Sequence, residues 1–287
     1  MISVVIAAYN EEDAVKGTIA RVQEVCEGMQ LPFEIIVVDD GSTDATVSVL
    51  KEFNVKIVHH PHNVGYGHSL KDGIRAAQYN TIVITDADLT YPFDRVPDLY
   101  KEYLKGFDMV VGARMGENYA ESALKSPLRK ILRFIVEFTA GRKIPDINSG
   151  LRIFERDTVK FFFNLLCNGF SFTTSLTLGY MMVGKFVSYI PISYDKRLGR
   201  SKVKLFRDSL RTLQYILQVA TYYNPLKVFL LFSALCVLSA CMGFMISFVG
   251  HLRGGFFFGI GSLLIALLVL CLGLFADLLK QLLNKER

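Results

Sequence analysis

Two carboxylates stand one residue apart at the end of an apolar run, Ile82-Val83-Ile84-Thr85-Asp86-Ala87-Asp88. On an extended chain the side chains at i and i+2 point the same way. Asp86 and Asp88 can therefore converge at the strand's C-terminal end. Like charges held this close need a cation between them, or a proton on one of them. Hard divalent ions such as Mg2+ and Mn2+ take oxygen ligands and bridge carboxylate to phosphate. The spacing points to a metal-diphosphate site. The plainer alternative is a polar loop after a buried strand.

The elements that must position this pair alternate along the chain. Apolar strand patterns cover residues 3–8, 34–38, 56–59, 81–85 and 108–112, with helical patterns at 12–26, 43–53, 66–78 and 94–105. Successive Ile and Val residues fit strands covered on both faces. The alternation predicts an α/β domain with a mainly parallel sheet, whose ligands bind beyond the strand C-termini. Polar clusters fall at those ends: Tyr9-Asn10-Glu11-Glu12, Asp39-Asp40-Gly41-Ser42-Thr43-Asp44, Asn63-Val64-Gly65-Tyr66-Gly67, Asp86-Ala87-Asp88 and Arg114. Together they predict one nucleotide-type pocket. Asp40-Gly41-Ser42-Thr43 also reads as a helix N-cap, and Gly65 and Gly67 as a close turn. A Gly-x-Gly-x-x-Gly after the first strand and a Gly-Lys-Ser/Thr phosphate loop are both missing, which argues against dinucleotide and P-loop folds.

Half of the 287 residues (51%) are hydrophobic, and the mean hydropathy is +0.33. The excess sits in residues 228–249 and 254–276, which carry no charge. Each stretch exceeds the ~20 residues that cross a bilayer core, so a transmembrane hairpin is predicted. The start of the chain reads as a strand rather than a signal peptide. Arg197, Arg200, Lys202, Lys204, Arg207, Arg211 and Lys227 precede the hairpin, and Lys280, Lys285 and Arg287 follow it. That bias predicts cytoplasmic N- and C-termini. The net charge of +5, concentrated beside the spans, points to anionic lipid and not to nucleic acid. Residues 122–141 and 205–222 pattern as basic amphipathic helices, suited to a membrane surface or to ordinary packing on the core. The five cysteines lack metal spacing and read as small hydrophobes. His59, His60, His62 and His68 cluster without an ordered ligand spacing. Gly254, Gly255, Gly259 and Gly261 permit close helix packing and a possible homo-oligomer.

In order and spacing, the motifs resemble the family 2 glycosyltransferases of the GT-A fold, and within them the polyprenyl-phosphate glycosyltransferases. The resemblance rests on Val4-Val5-Ile6-Ala7-Ala8-Tyr9-Asn10-Glu11-Glu12, Val37-Val38-Asp39-Asp40-Gly41-Ser42-Thr43-Asp44, Asn63-Val64-Gly65-Tyr66-Gly67 and Asp86-Ala87-Asp88-Leu89. It continues through Gly112-Ala113-Arg114, Asp146-Ile147-Asn148-Ser149-Gly150-Leu151-Arg152 and Arg197-Leu198-Gly199-Arg200-Ser201-Lys202. It covers residues 1–205. The chain departs at Ala7, where the family often has proline, and at Thr90, where mannose synthases often have glutamine.

The resemblance implies a cytoplasmic GT-A catalytic domain over 1–202, a juxtamembrane helix over 203–224 and a hairpin over 225–287 with a short cytoplasmic tail. It implies inverting transfer of a hexose from a nucleotide-diphosphate sugar, UDP-glucose or GDP-mannose, to a dolichyl or undecaprenyl phosphate. Asp86 and Asp88 would hold Mg2+ or Mn2+. Ala8, Tyr9, Asn10, Glu11, Asp39, Asp40, Gly65, Asp86 and Ala87 would line the donor nucleotide. Arg114, Arg129, Arg133, Ser149, Arg197 and Lys202 would meet the acceptor phosphate, and Asp86, Asp88, Arg114 and Asp146 would make up the catalytic group. For Arg129 and Arg133 lipid-headgroup contact is the other reading; for Ser149 it is a structural turn. Residues 198–204 could form a lid. Two other functions remain open. One is a processive polysaccharide-type transferase, disfavoured because the chain has no tryptophan for a Gln-x-x-Arg-Trp motif. The other is a non-catalytic membrane scaffold.

Overall fold

The computed structural model describes residues 1–115, 127–195 and 205–285. Two compact units emerge, Met1–Ile216 and Leu217–Arg287.

In the first unit the described residues form one sheet of strands β1 (Ile2–Ala8), β2 (Phe33–Asp39), β3 (Lys56–His59), β4 (Thr81–Asp86), β5 (Met109–Arg114), β6 (Arg152–Glu155) and β7 (Val187–Ile192). Their order is β3-β2-β1-β4-β6-β5-β7. Neighbours are parallel except around β6, which runs antiparallel to both β4 and β5. The predicted mainly parallel α/β architecture is therefore present. The first five strands fall where the apolar runs placed them, whereas β6 and β7 went unpredicted.

Helices α1 (Val15–Gly28), α2 (Thr46–Leu50), α3 (Tyr66–Ala76) and α4 (Val96–Tyr103) connect the first five strands. α1 buries Val15, Thr18, Ile19, Val22 and Cys26, a single stripe at helical spacing. That stripe joins Ile2, Val4, Ile6, Val83, Val110 and Ile153 in the core. Burying each large apolar side chain contributes roughly 1.5–3 kcal/mol. α2 is shorter than its predicted span because side chains claim its approach. The Thr43 amide donates to Asn10 Oδ1 at 2.8 Å, and the Thr46 amide to Asp44 Oδ1 at 3.0 Å. Cys26 is buried and its thiol pushed up to about 12 by desolvation, as suits a small core hydrophobe.

The second unit contains the helices Pro225–Gly250 and Arg253–Lys285. Asn224 caps the first, its side chain accepting from the Lys227 amide at 3.1 Å. His251, at φ 50°, ends it in a left-handed residue. By length and composition, Pro225–Gly250 and Arg253–Leu282 can each cross a membrane. Within the hairpin a Cβ on Gly255 would lie 2.8 Å from the Gly243 carbonyl, and one on Gly259 2.7 Å from the Phe244 ring. These two glycines serve packing inside the hairpin, whereas Gly254 and Gly261 face open space.

Candidate functional site

Strand register builds the rim. Ala8 pairs with Asp39, Asp39 with His59, and Ala7 with Asp86, so four neighbouring strands end together. The antiparallel β6 starts at this same rim, with Arg152 opposite both Ile84 and Val111. The turn before β6, residues 146–150, is thereby delivered between Asp86 on β4 and Arg114 on β5.

At the end of β4, Asp86 Oδ1 accepts from the Tyr66 hydroxyl at 2.7 Å. Gly150 faces the same carboxylate: a Cβ there would stand 2.8 and 2.9 Å from its two oxygens. Asp88 is buried, and its Oδ1 accepts from the Thr90 hydroxyl at 2.5 Å and the Thr90 amide at 3.2 Å. The chain bends back for this through Leu89, at φ 60°, a left-handed conformation that non-glycine residues rarely adopt. The Thr18 hydroxyl of α1 donates to the Ala87 carbonyl at 2.9 Å and fixes the loop from below. Two carboxylates with neutral hydroxyl partners are a hard-oxygen donor set. Among the described residues no cluster of three or more His, Cys, Asp or Glu side chains forms a metal site. Two carboxylates nevertheless suit a magnesium-type ion that takes its other ligands from a diphosphate and water. The missing Cβ at position 150 keeps the space beside Asp86 clear, so the residues present fit such an ion.

Across the turn, Arg114 binds Asp146 through Nε at 2.7 Å, Nη2 at 2.9 Å and its own amide at 3.1 Å. Burial by itself would raise the Asp146 carboxyl, but the Arg114 hydrogen bonds and charge hold it below the ordinary aspartate range. The guanidinium also lies 5.2 Å from the centre of the Tyr194 ring. Tyr194 packs edge-on against Tyr91, whose hydroxyl accepts from the Gly150 amide at 2.7 Å. Fully buried Arg152 pins the turn from behind, donating to the Ser149 carbonyl at 2.7 Å, the Ile147 carbonyl at 2.8 Å and the Thr177 hydroxyl at 2.6 Å.

On the other side, the loops after β1 and β2 are laced together. The Asn10 amide donates to Ser42 Oγ at 2.9 Å and the Glu11 amide to Thr46 Oγ1 at 2.9 Å. Asp39 pairs with His59 Nδ1 at 2.7 Å and accepts from the Ser42 amide at 3.2 Å. Asp40 has a structural task. It accepts from the Val64 and Gly65 amides at 3.0 and 2.9 Å and pairs with His60 at 2.9 Å. It thereby ties the loop after β2 to the loop after β3. Gly65, at φ 112°, is also pressed against the Asn168 carbonyl, 2.7 Å from where a Cβ would be.

The other predicted contacts are placed unevenly. Ser149 is completely buried and its hydroxyl donates to the Gly112 carbonyl at 2.5 Å, the geometry of a structural turn. Arg133, on the helix Pro127–Ala140, donates to Glu137 at 3.1 Å and to the Ile144 carbonyl at 2.9 Å. It therefore braces the segment that leads to Asp146. The side chain of Arg129, on the same helix, lies outside the described residues, as do Arg197, Lys202 and the 198–204 segment. Three of the four clustered histidines serve carboxylates: His59 pairs with Asp39, His60 with Asp40 and Asp72, and His68 with Asp72. Sequence reasoning overlooked Tyr66, Tyr91 and Arg152. Tyr66 stood inside a quoted motif, but nothing in its spacing linked it to Asp86.

The family model described as glycosyl transferase family 2 matches residues 3–163, more than half of the chain. The chain is 28% identical over 253 residues to the undecaprenyl-phosphate 4-deoxy-4-formamido-L-arabinose transferase of Salmonella choleraesuis strain SC-B67, covering 86% of this chain and 74% of that one. It is 32% identical over 165 residues to the enzyme of the same name from Pseudomonas fluorescens strain Pf0-1, covering 55% of this chain and 48% of that one. The chain thus spans about half the length of the Pseudomonas relative. Among solved structures, glucosyl-3-phosphoglycerate synthase from Mycobacterium tuberculosis, in complex with Mn2+, UDP and glucosyl-3-phosphoglycerate, superposes with a TM-score of 0.61 at 22% identity, covering 77% of this chain and 80% of that one. That likeness shows the fold.

Proposed function

The chain belongs to glycosyl transferase family 2, and on that premise we propose that it transfers a sugar from a nucleotide-diphosphate donor to a membrane polyprenyl phosphate, with inversion. One observation carries the reading. The turn 146–150 seats the Asp86 carboxylate against Gly150 at one end and the Arg114 guanidinium against Asp146 at the other. A site for a cation on a diphosphate and a fixed cation for a phosphate thereby share one rim.

In this reading Asp86 and Asp88 would hold Mg2+ or Mn2+, which would supply charge neutralisation for the departing diphosphate. Glu11, Asp39 and the turn Ala8–Glu11 line the nucleoside. The acceptor phosphate, with a second pKa of about 6, is already a nucleophile at neutral pH. One of its oxygens bonds to the anomeric carbon as the bond to the diphosphate oxygen breaks, and the nucleoside diphosphate leaves. A general base is not needed, so positioning and charge carry the rate. Arg114 orients the phosphate, and Asp146 keeps the guanidinium aimed. Arg129, Arg197 and Lys202 are the further acceptor contacts on this reading. The isoprenoid tail stays in the bilayer, which the two apolar helices allow the enzyme to meet. By the distribution of Lys and Arg, both termini are cytoplasmic.

The test is a donor panel of radiolabelled UDP-glucose, GDP-mannose and a nucleotide-linked 4-deoxy-4-formamido-L-arabinose. Each is incubated with the full chain, Mn2+ and undecaprenyl or dolichyl phosphate, and label is followed into the lipid phase. Transfer from one donor, lost in Asp88→Ala, is the expected result. Normal transfer by Asp88→Ala with Mn2+ present would overturn the metal-diphosphate role, and label in no lipid would overturn the reaction.

A further inference from the structure

Asp86 is gripped from the side by a phenol that the 166–170 segment holds still. Tyr66 opens α3, and its hydroxyl donates to Asp86 Oδ1 at 2.7 Å. Its ring stacks on Phe170, with centroids 6.0 Å apart and planes 10° apart. The turn below it is fastened to the same 166–170 segment. The His68 amide donates to the Asn168 carbonyl at 3.0 Å, and Lys71 Nζ reaches the Leu166 carbonyl at 2.7 Å and Asn168 Oδ1 at 2.6 Å. Gly67 lies so close to the Cys167 carbonyl that no side chain fits between them. The backbone that carries Tyr66 is therefore fixed before any ligand arrives.

We propose that Tyr66 is a positioning residue for the divalent cation: by occupying Asp86 Oδ1 it fixes the carboxylate's rotation and settles how its oxygens are offered to the ion. The proposal rests on the metal-diphosphate reading of Asp86 and Asp88. Two features argue for it. Tyr66 brings a neutral hydroxyl, which orients the carboxylate without itself adding a positive charge to compete with the cation. At position 150 the missing Cβ leaves the space beside both Asp86 oxygens clear for that ion. Outer hydrogen bonds of this kind orient metal ligands, and losing one typically costs 10–100-fold in metal affinity or activity.

The experiment uses full-length Tyr66→Phe, which keeps the ring and its stacking on Phe170. Free Mn2+ is titrated by electron paramagnetic resonance in the presence of UDP and, separately, GDP, and thermal unfolding is followed alongside. The expected result is Mn2+ binding about 10-fold weaker with a single cooperative unfolding transition retained. The Mn2+ concentration for half-maximal transfer should rise while the rate at saturating Mn2+ largely recovers. Phe170→Leu, which removes the platform but keeps the hydroxyl, should shift Mn2+ affinity the same way by less. Parental Mn2+ affinity in Tyr66→Phe, while Asp88→Ala has lost the ion, overturns the proposal. Parental Mn2+ affinity in Asp88→Ala overturns the metal reading beneath it. Should Tyr66→Phe misfold, parental Mn2+ affinity in a folded Phe170→Leu overturns the proposal instead.

Discussion

Replacing Asp146 by asparagine removes one charge and almost no volume, so it isolates the ion pair at the centre of the site. In the parent, Asp146 takes three donors from Arg114, at 2.7, 2.9 and 3.1 Å, and one from the Asn148 amide at 3.1 Å. An asparagine can turn its oxygen toward Nη2 and Asn148. Its amide group then confronts Arg114 Nε and the Arg114 amide, donor against donor. Breaking a buried ion pair from one side costs about 3–5 kcal/mol. The Arg114 side chain keeps 14% exposure, so some water relieves it, and about 3 kcal/mol is the expected loss. At ~2–4 °C per kcal/mol for a domain of this size, the catalytic unit should melt roughly 6–12 °C lower. Near-ultraviolet circular dichroism of the full chain in detergent measures this. The double variant Arg114→Met/Asp146→Leu should melt above Asp146→Asn, because no charge is left stranded. Transfer should fall mainly in kcat, since the guanidinium loses its aim. A midpoint for Asp146→Asn within about 2 °C of the parent would refute the argument that this pair organises the rim.

Acid should expose the same pair. The folded Asp146 carboxyl titrates below its unfolded value, so its contribution is complete above the unfolded pKa of about 3.9 and is lost as pH falls through the folded pKa. The parent should therefore lose part of its stability in that window and Asp146→Asn should not, which acid-unfolding curves will show. Gly150→Ala puts a Cβ where the Asp86 oxygens lie, at 2.8 and 2.9 Å. The carboxylate must turn off Tyr66, and the loss of a charge-assisted hydrogen bond, about 1.5–3 kcal/mol, should cut transfer roughly 10–100-fold and lower the midpoint by about 3–12 °C. Unimpaired transfer would separate Asp86 from the chemistry. Asp40→Ala should strip hydrogen-exchange protection from the Val64 and Gly65 amides and destabilise the fold by about 2–4 kcal/mol. Intact stability with lost nucleotide affinity would instead place Asp40 on the donor.

β1, β2, β4 and β5 were legible because both their faces are covered, which forces unbroken Ile and Val runs such as Val4-Val5-Ile6 and Ile82-Val83-Ile84. β6 was not, for the opposite reason. Its four residues begin with Arg152 and end with Glu155, and nothing local reveals that the arginine lies fully buried. Its guanidinium is accommodated only because carbonyls from residues 147 and 149 and a threonine from a distant helix come to meet it. β7, with half-buried residues and Pro191 inside it, carries little strand signal of its own.

What the sequence determined by itself was the content of the site: two carboxylates a residue apart, arginine at a strand end, polar clusters on one rim, and two uncharged stretches long enough to cross a bilayer. Such features depend on spacing along a single element, and local geometry preserves spacing. Tertiary structure decided which of those groups remain available. It assigned Asp40 and Ser149 to holding loops, tied Arg133 to the Ile144 carbonyl, and joined Asp146 to Arg114. It also brought Tyr66 to Asp86 across 20 positions of sequence. A buried polar side chain must find its partner wherever the fold supplies one, and those partners come from loops, helix ends and strands that meet only when the sheet is assembled.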